Sequence, residues 1–246
     1  MVVILENQPY GAVIGNPQAD YINALVRSGA LFTASYAVSH PSEPNYLALF
    51  SGSTHGITSD QCPTTLHAPN LAADLIAKRL TFTGYSEGLP GMGSRVCQQG
   101  GYARKHAPWT DFAGLPGTVN QPFTRFAAGG FAKLPAVSFV IPDLCHDMHD
   151  CSVATGDAWL RVHLRAYATW AQTHDSLLIV TFDEDDDSHS NHIATIFSGQ
   201  QVRPGRYRTP IDHYNVLRTI EQAYGLPFRG LARTHYPITS VWHRPT

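Results

Sequence analysis

Short runs of β-branched and aromatic residues recur along this chain, and they constrain its fold more than any other feature. The runs are "MVVILE" (1–6), "LTFTGYSE" (80–87), "AVSFVIP" (136–142), "LLIVTFDE" (177–184) and "HIATIFSG" (192–199). Most of their residues are apolar, and all but "LTFTGYSE" lack polar alternation, which is the pattern of strands buried on both faces. Between them, residues 16–29, 69–80, 156–174 and 213–226 carry the period and the stop signals of amphipathic helices. Buried strands alternating with helices predict an α/β fold, with a mostly parallel sheet flanked by helices on both faces. Residues 88–130 are rich in glycine and proline and weakly periodic, so they predict a small loop-rich cap segment. With 246 residues, a single domain spanning 1–246 is expected.

In open α/β sheets, ligands sit at the carboxyl ends of the strands. Glu6 and Asn7 follow the first apolar run, and His40, Ser42 and Asn45 follow "FTASYAV". Asp143, His146, Asp147, His149 and Asp150 follow "AVSFVIP", and Asp183 and Glu184 follow "LLIVTF". His192 opens the next strand, and His213 opens the last helix. Each has an ordinary reading: a strand-end turn, a capped surface histidine, a satisfied core histidine, a solvated acidic loop. For Asp185, Asp186 and Asp187 the solvated loop is the preferred reading. The case for chemistry is the convergence of oxygen and imidazole ligands on one sheet edge.

Glu6, Asn7, Asp183 and Glu184 form a hard-oxygen donor set. Such a set suits one divalent cation, with Ca²⁺, Mg²⁺ or Mn²⁺ ahead of Zn²⁺. Ser42, at the start of the helix pattern in "SHPSEPNYLALFSG", would share that cation and act as nucleophile at phosphorus. The N–H groups of that helix start favour an anion. The Asn45 amide would donate to a phosphoryl oxygen, and His149, His192 and His213 would donate to the remaining oxygens or protonate the leaving group.

Composition narrows the classes. Net charge is −2 with histidine neutral, so no basic footprint argues for nucleic acid. No apolar run is long enough for stable membrane insertion. No exposed helical seam stands out, so a monomer is expected. Cys62, Cys97, Cys145 and Cys151 make an even count without a C-x-x-C, which favours disulfides over zinc. The expected pairs are Cys145–Cys151 and Cys62–Cys97. Disulfides argue for an oxidising compartment, so the protein is expected to be secreted or in the cell envelope, with its export signal absent from this sequence.

"HPSEPNYLALFSG", "YARKHAPW", "FVIP…DMHD", "GDAWL", "LLIVTFDEDD" and "HYNVLRTIEQAYGLP" occur in an order that resembles the bacterial secreted acid phosphatase and phospholipase C group of the alkaline-phosphatase-like superfamily, above all its mycobacterial members. The resemblance runs nearly the whole chain. It implies an alkaline-phosphatase-like core, Glu6, Asn7, Asp183 and Glu184 as metal ligands, and Ser42 as nucleophile with Asn45 on the phosphate. It also carries over a D-x-H element to Asp147 and His149, and a helix-opening histidine to His213. His40 and His146 are further site candidates. Two departures stand out: Leu5 where the group carries a second glutamate, and His146 where related sequences often have asparagine. The implied activity is a metal-dependent phosphoric monoester hydrolase acting through phosphoserine on a phosphorylated small molecule or lipid. The alternative is a phospholipase C-type phosphodiesterase, and a non-catalytic cation-binding protein ranks last.

Overall fold

The computed structural model describes residues 1–243. In chain order the strands are β1 (Val2–Leu5), β2 (Ala30–Tyr36), β3 (Phe82–Ser86), β4 (Gln98–Gln99), β5 (Tyr102–Ala103), β6 (Asn120–Pro122), β7 (Val137–Ile141), β8 (Leu177–Phe182), β9 (His192–Gly199), β10 (Gly205–Tyr207) and β11 (Ile211–Asp212). The α-helices are α1 (Tyr10–Val13), α2 (Asp20–Ser28), α3 (Ser42–Ser51), α4 (Leu71–Ala77), α5 (Val153–Ala171) and α6 (His213–Ala223). The chain forms two compact units that interleave in sequence. One holds residues 1–37, 144–211 and 239–243; the other holds 38–143 and 212–238.

In the first unit the strands run in the order β10-β2-β9-β8-β1. β1 pairs β8 in parallel, β10 pairs β2 in parallel, and β9 runs antiparallel to both β2 and β8. β1 is buried along its whole length, as its unbroken apolar run requires. α5 begins where Ser152 accepts the Thr155 N–H, and buries Trp159, Leu160, Leu164, Tyr167, Ala168 and Ala171 at helical spacing. Buried Asp157 on α5 accepts the N–H groups of Tyr21 and Ile22 at 2.9 and 2.7 Å, which anchors the first turn of α2. The expected helix over 16–29 divides at its start, with a 3₁₀ turn over Pro17–Ala19 before α2.

The second unit carries β7-β3-β6, all parallel. Its core is aromatic. Phe50 of α3 meets Phe82, Phe112 and Phe139 at ring distances of 5.4, 5.5 and 5.8 Å. Gly84 is required here, because a Cβ would lie 2.1 Å from the Trp109 ring. α3 ends at Gly52, with φ 74°, where only glycine is comfortable. Residues 88–130 are the predicted loop-rich segment, consisting of short 3₁₀ turns, the β4–β5 hairpin and β6. Both expected disulfides are present: Cys62–Cys97 in this unit and Cys145–Cys151 in the first. Both units are α/β and mostly parallel. No helix among the described residues is long and apolar enough to cross a membrane.

Candidate active site

In the first unit, β1 and β8 end together. Leu5 is the register partner of Phe182, so Glu6 and Asp183 leave neighbouring strands side by side. The Asp183 N–H donates to Leu5 O at 2.9 Å, and the Asn7 N–H donates to Asp183 Oδ1 at 3.2 Å. Asn7 has φ 51°, a left-handed turn that asparagine tolerates better than most residues. Its Oδ1 is buried and accepts no hydrogen bond. The Glu6 N–H donates to Asp147 O at 2.8 Å, and carboxylate oxygens of these two residues lie within 4.8 Å of each other. Asp147 Oδ1 accepts the His149 N–H at 2.8 Å. The Cys145–Cys151 bond closes the loop that carries His146, Asp147 and His149. Glu6, Asp147, Asp183 and Glu184 are all buried.

A carbonyl-type oxygen aimed at nothing, beside gathered carboxylates, is the donor chemistry of a hard divalent cation. Glu6, Asn7, Asp147 and Asp183 therefore fit such an ion, with Glu184 next along the chain. Asp147 joins this set on geometry, whereas the sequence placed it after the "AVSFVIP" run without counting it among the cation's ligands.

Other residues of this unit depart from expectation. Asp185 was read as solvated but is 2% exposed. Its two oxygens accept the N–H groups of Asp187, His189 and Asn191 and shape the turn before β9. Asp186 and Asp187 are exposed, as read. His192 stacks on Tyr10 at 4.5 Å, lies 5.1 Å from Tyr36, and bonds Thr33 O through Nε2 at 3.1 Å. That is the setting of a structural histidine, and it differs from the expected proton-transfer role. His146 stacks at 6.3 Å on Trp159. His149 Nδ1 lies 2.7 Å from Asp150 Oδ1 on the more open side of the loop.

In the second unit, Ser42 is the first residue of α3 and is buried. The N-cap is Pro41, which offers no side-chain cap. Asn45 braces the turn. Its Oδ1 accepts the N–H groups of Val38 and Ser39, both at 3.0 Å, and its Nδ2 donates to Ser39 O and Pro41 O at 2.9 and 3.3 Å. This amide thus braces the serine turn. The helix start is also a poorer anion site than the sequence suggests. The Glu43 N–H is donated to Asp60 Oδ1 at 3.0 Å, and Pro44 has no N–H. His213 is the buried first residue of α6, whose start Asp212 caps in a reciprocal box with Asn215. His40 is half-buried ahead of Pro41.

Two residues of this unit escaped the sequence reading. Glu43 is 1% exposed beside Ser42, and His106, also buried, stacks on Tyr46 of α3 at 5.1 Å. The burial of Glu43 was concealed by its place in the first helical turn, where acids are usually solvated partners of the helix dipole. The one signal for His106 was its position in "YARKHAPW".

Residues 12–227 match the model of the phosphoesterase family. The chain is 52% identical over 244 residues to a phosphatidylinositol-3-phosphatase of Mycobacterium tuberculosis, which covers 98% of this chain and 82% of that protein. It is 31% identical over 228 residues to an acid phosphatase of Aspergillus fumigatus, covering 84% of this chain and 51% of the fungal protein. The chain thus spans about half the length of that relative. Among solved structures, it resembles a Vibrio parahaemolyticus protein of the alkaline phosphatase superfamily with a TM-score of 0.60 at 16% identity, over 91% of this chain and 65% of that one. A lipoteichoic acid synthase of Listeria monocytogenes aligns with a TM-score of 0.63 at 11% identity, over 92% and 71% of the two chains. These two likenesses are of fold.

Proposed function

We propose that this chain, which belongs to the phosphoesterase family and is a phosphatase, is a metal-dependent phosphoric monoester hydrolase with Ser42 as its nucleophile. One observation carries the reading: Glu6 and Asp183 leave two adjacent strands side by side, the Asn7 N–H meets Asp183 Oδ1, and a carboxylate oxygen of Asp147, from the disulfide-closed loop, lies within 4.8 Å of one of Glu6. Burying like charges side by side is costly unless a cation joins them. Glu6, Asn7, Asp147, Asp183 and Glu184 would hold it. When bound, the cation offsets phosphate charge and lowers the pKa of a coordinated hydroxyl.

The chain's own residues do the rest. Ser42 Oγ, its proton released to solvent before attack, forms a bond to phosphorus in line with the ester oxygen, whose bond breaks. The departing oxygen takes a proton from an imidazole, for which His149 and His213 are the candidates. Water then displaces Ser42 from the phosphoserine, and the same imidazole accepts its proton. Asn45 keeps the serine turn in shape throughout, consistent with its bonds to residues 38–41.

The substrate class is a phosphoric monoester, and the name of the mycobacterial relative supports a phosphorylated lipid headgroup as one form of it. Both disulfides and the acid phosphatase relatives support an extracellular or cell-envelope location. The test is hydrolysis of p-nitrophenyl phosphate against bis-p-nitrophenyl phosphate, with and without EDTA, on the wild type and Ser42→Ala. Faster monoester cleavage that EDTA and Ser42→Ala each abolish supports the reading. Near-normal turnover by Ser42→Ala refutes it.

A further inference from the structure

We propose that Glu43 is a positioning residue, which together with Asp60 forms a two-way clasp tying the Ser42 turn to the disulfide-anchored loop at residues 60–64. The proposal rests on Ser42 being the nucleophile.

The clasp is reciprocal. Glu43 Oε2 accepts the Gln61 N–H at 2.5 Å, while the Glu43 N–H donates to Asp60 Oδ1 at 3.0 Å. The loop is held in turn. Asp60 Oδ2 takes Lys105 Nζ at 2.6 Å, and Cys62 is bonded to Cys97. Cys97 O accepts the Arg104 N–H at 2.9 Å. Buried Arg104 then reaches Thr64 O and Asp111 Oδ1 through Nη2, both at 3.0 Å. The serine turn is thereby fixed from two sides: by Asn45 from within, and by Glu43 from a disulfide-anchored loop.

A solvating role does not account for Glu43. An acid in the first turn of a helix gains from the dipole while it remains in water, so burial adds a cost without adding to that gain. Such a cost is reasonable where geometry matters, because a misplacement of about 1 Å near reacting atoms can cost about 10²-fold in rate.

The test is steady-state kinetics on p-nitrophenyl phosphate for Glu43→Ala, Glu43→Gln and Asp60→Ala, each checked for folding by a thermal melt. Glu43→Ala is expected to lower kcat about 30-fold, with KM changing less than about threefold. Glu43→Gln, whose amide oxygen still accepts the Gln61 N–H, is expected to stay within about threefold of wild type. Asp60 is partly exposed, so Asp60→Ala keeps the test alive should Glu43→Ala fail to fold; it should lower kcat about fivefold at steady KM. A folded Glu43→Ala or Asp60→Ala with wild-type kcat, or a Glu43→Gln as impaired as Glu43→Ala, overturns the proposal. Ser42→Ala run in parallel separates the two ideas. If it retains turnover, the nucleophile reading fails; if it is inactive while Glu43→Ala is normal, only the clasp fails.

Discussion

Both units bury carboxylates, but they dispose of them differently. In the second unit three buried acids each have an internal partner, as Asp157 and Asp185 do in the first. Asp111 meets Arg104, Glu221 Oε1 accepts the Arg229 N–H, and Glu43 accepts the Gln61 N–H. In the first unit Glu6 and Asp183 leave adjacent strands together, and Asp147 is drawn in by the Glu6 N–H. Individually bonded acids serve architecture, whereas the gathered set has the donor chemistry of a cation site. The same residue type thus has two uses, told apart by grouping rather than by burial.

The sharpest break of this contrast is Glu6→Ala or Asp183→Ala. Turnover should fall by about 10³-fold or more, while stability without metal stays level or rises as like charges are removed. Turnover assays beside thermal melts in EDTA read both effects. In the second unit the opposite is expected. Arg104→Met should cost about 3–5 kcal/mol of stability in urea unfolding, because it strands buried Asp111, and adding Asp111→Leu should recover much of it. A third experiment compares the units through metal. Ca²⁺ or Mn²⁺ at about 100 times its Kd should add about 2.7 kcal/mol to the wild type. The Asp183→Ala protein should lose that gain, whereas Glu221→Gln should keep it.

The mildest expected effect is on pH. Burial pushes Glu221 up to about 8 from an ordinary value of 4.5, against the Arg229 N–H bond and the Arg218 and Arg229 charges. The unfolded chain releases that proton at the ordinary value, so the folded state binds more protons between the two. This part of the stability is fully present below about 4.5 and is lost as pH rises through about 8. Glu221→Gln should flatten the curve of melting temperature against pH in that window. A slope unchanged by Glu221→Gln would show that another group carries it.

Much of this was legible in the sequence where the signal is local. Each buried run ends abruptly at its polar residues, so β1 with Glu6 and β8 with Asp183 could be read directly, and β9 matches its predicted bounds. The even cysteine count with one close pair pointed to disulfides; their connectivity is not readable from sequence, and the pairs present are the ones expected. What stayed hidden involves partners distant in sequence. Arg104 bonds Thr64 forty residues away, and Glu43 bonds Gln61 eighteen away, with no periodicity to mark either. Asp185 misled for a different reason. An acidic run ordinarily means water, and only the turn that folds three N–H groups onto its carboxylate makes it an interior residue. His192 carried a chemically suggestive side chain whose ring is occupied by Tyr10 and Tyr36.

The pairing of β1 with β8 also has a consequence in time. The Met1 amino group bonds Leu177 O across 176 residues, so the strand that precedes Glu6 is synthesised long before its neighbour exists. At about 5–20 residues per second, translation leaves "VVIL" waiting roughly 10–35 s for β8. A fully apolar strand waiting that long is a natural ligand for a holdase, and a hazard at high expression. Slowing translation before residue 177 should therefore raise aggregation, and holdase co-expression should lower it.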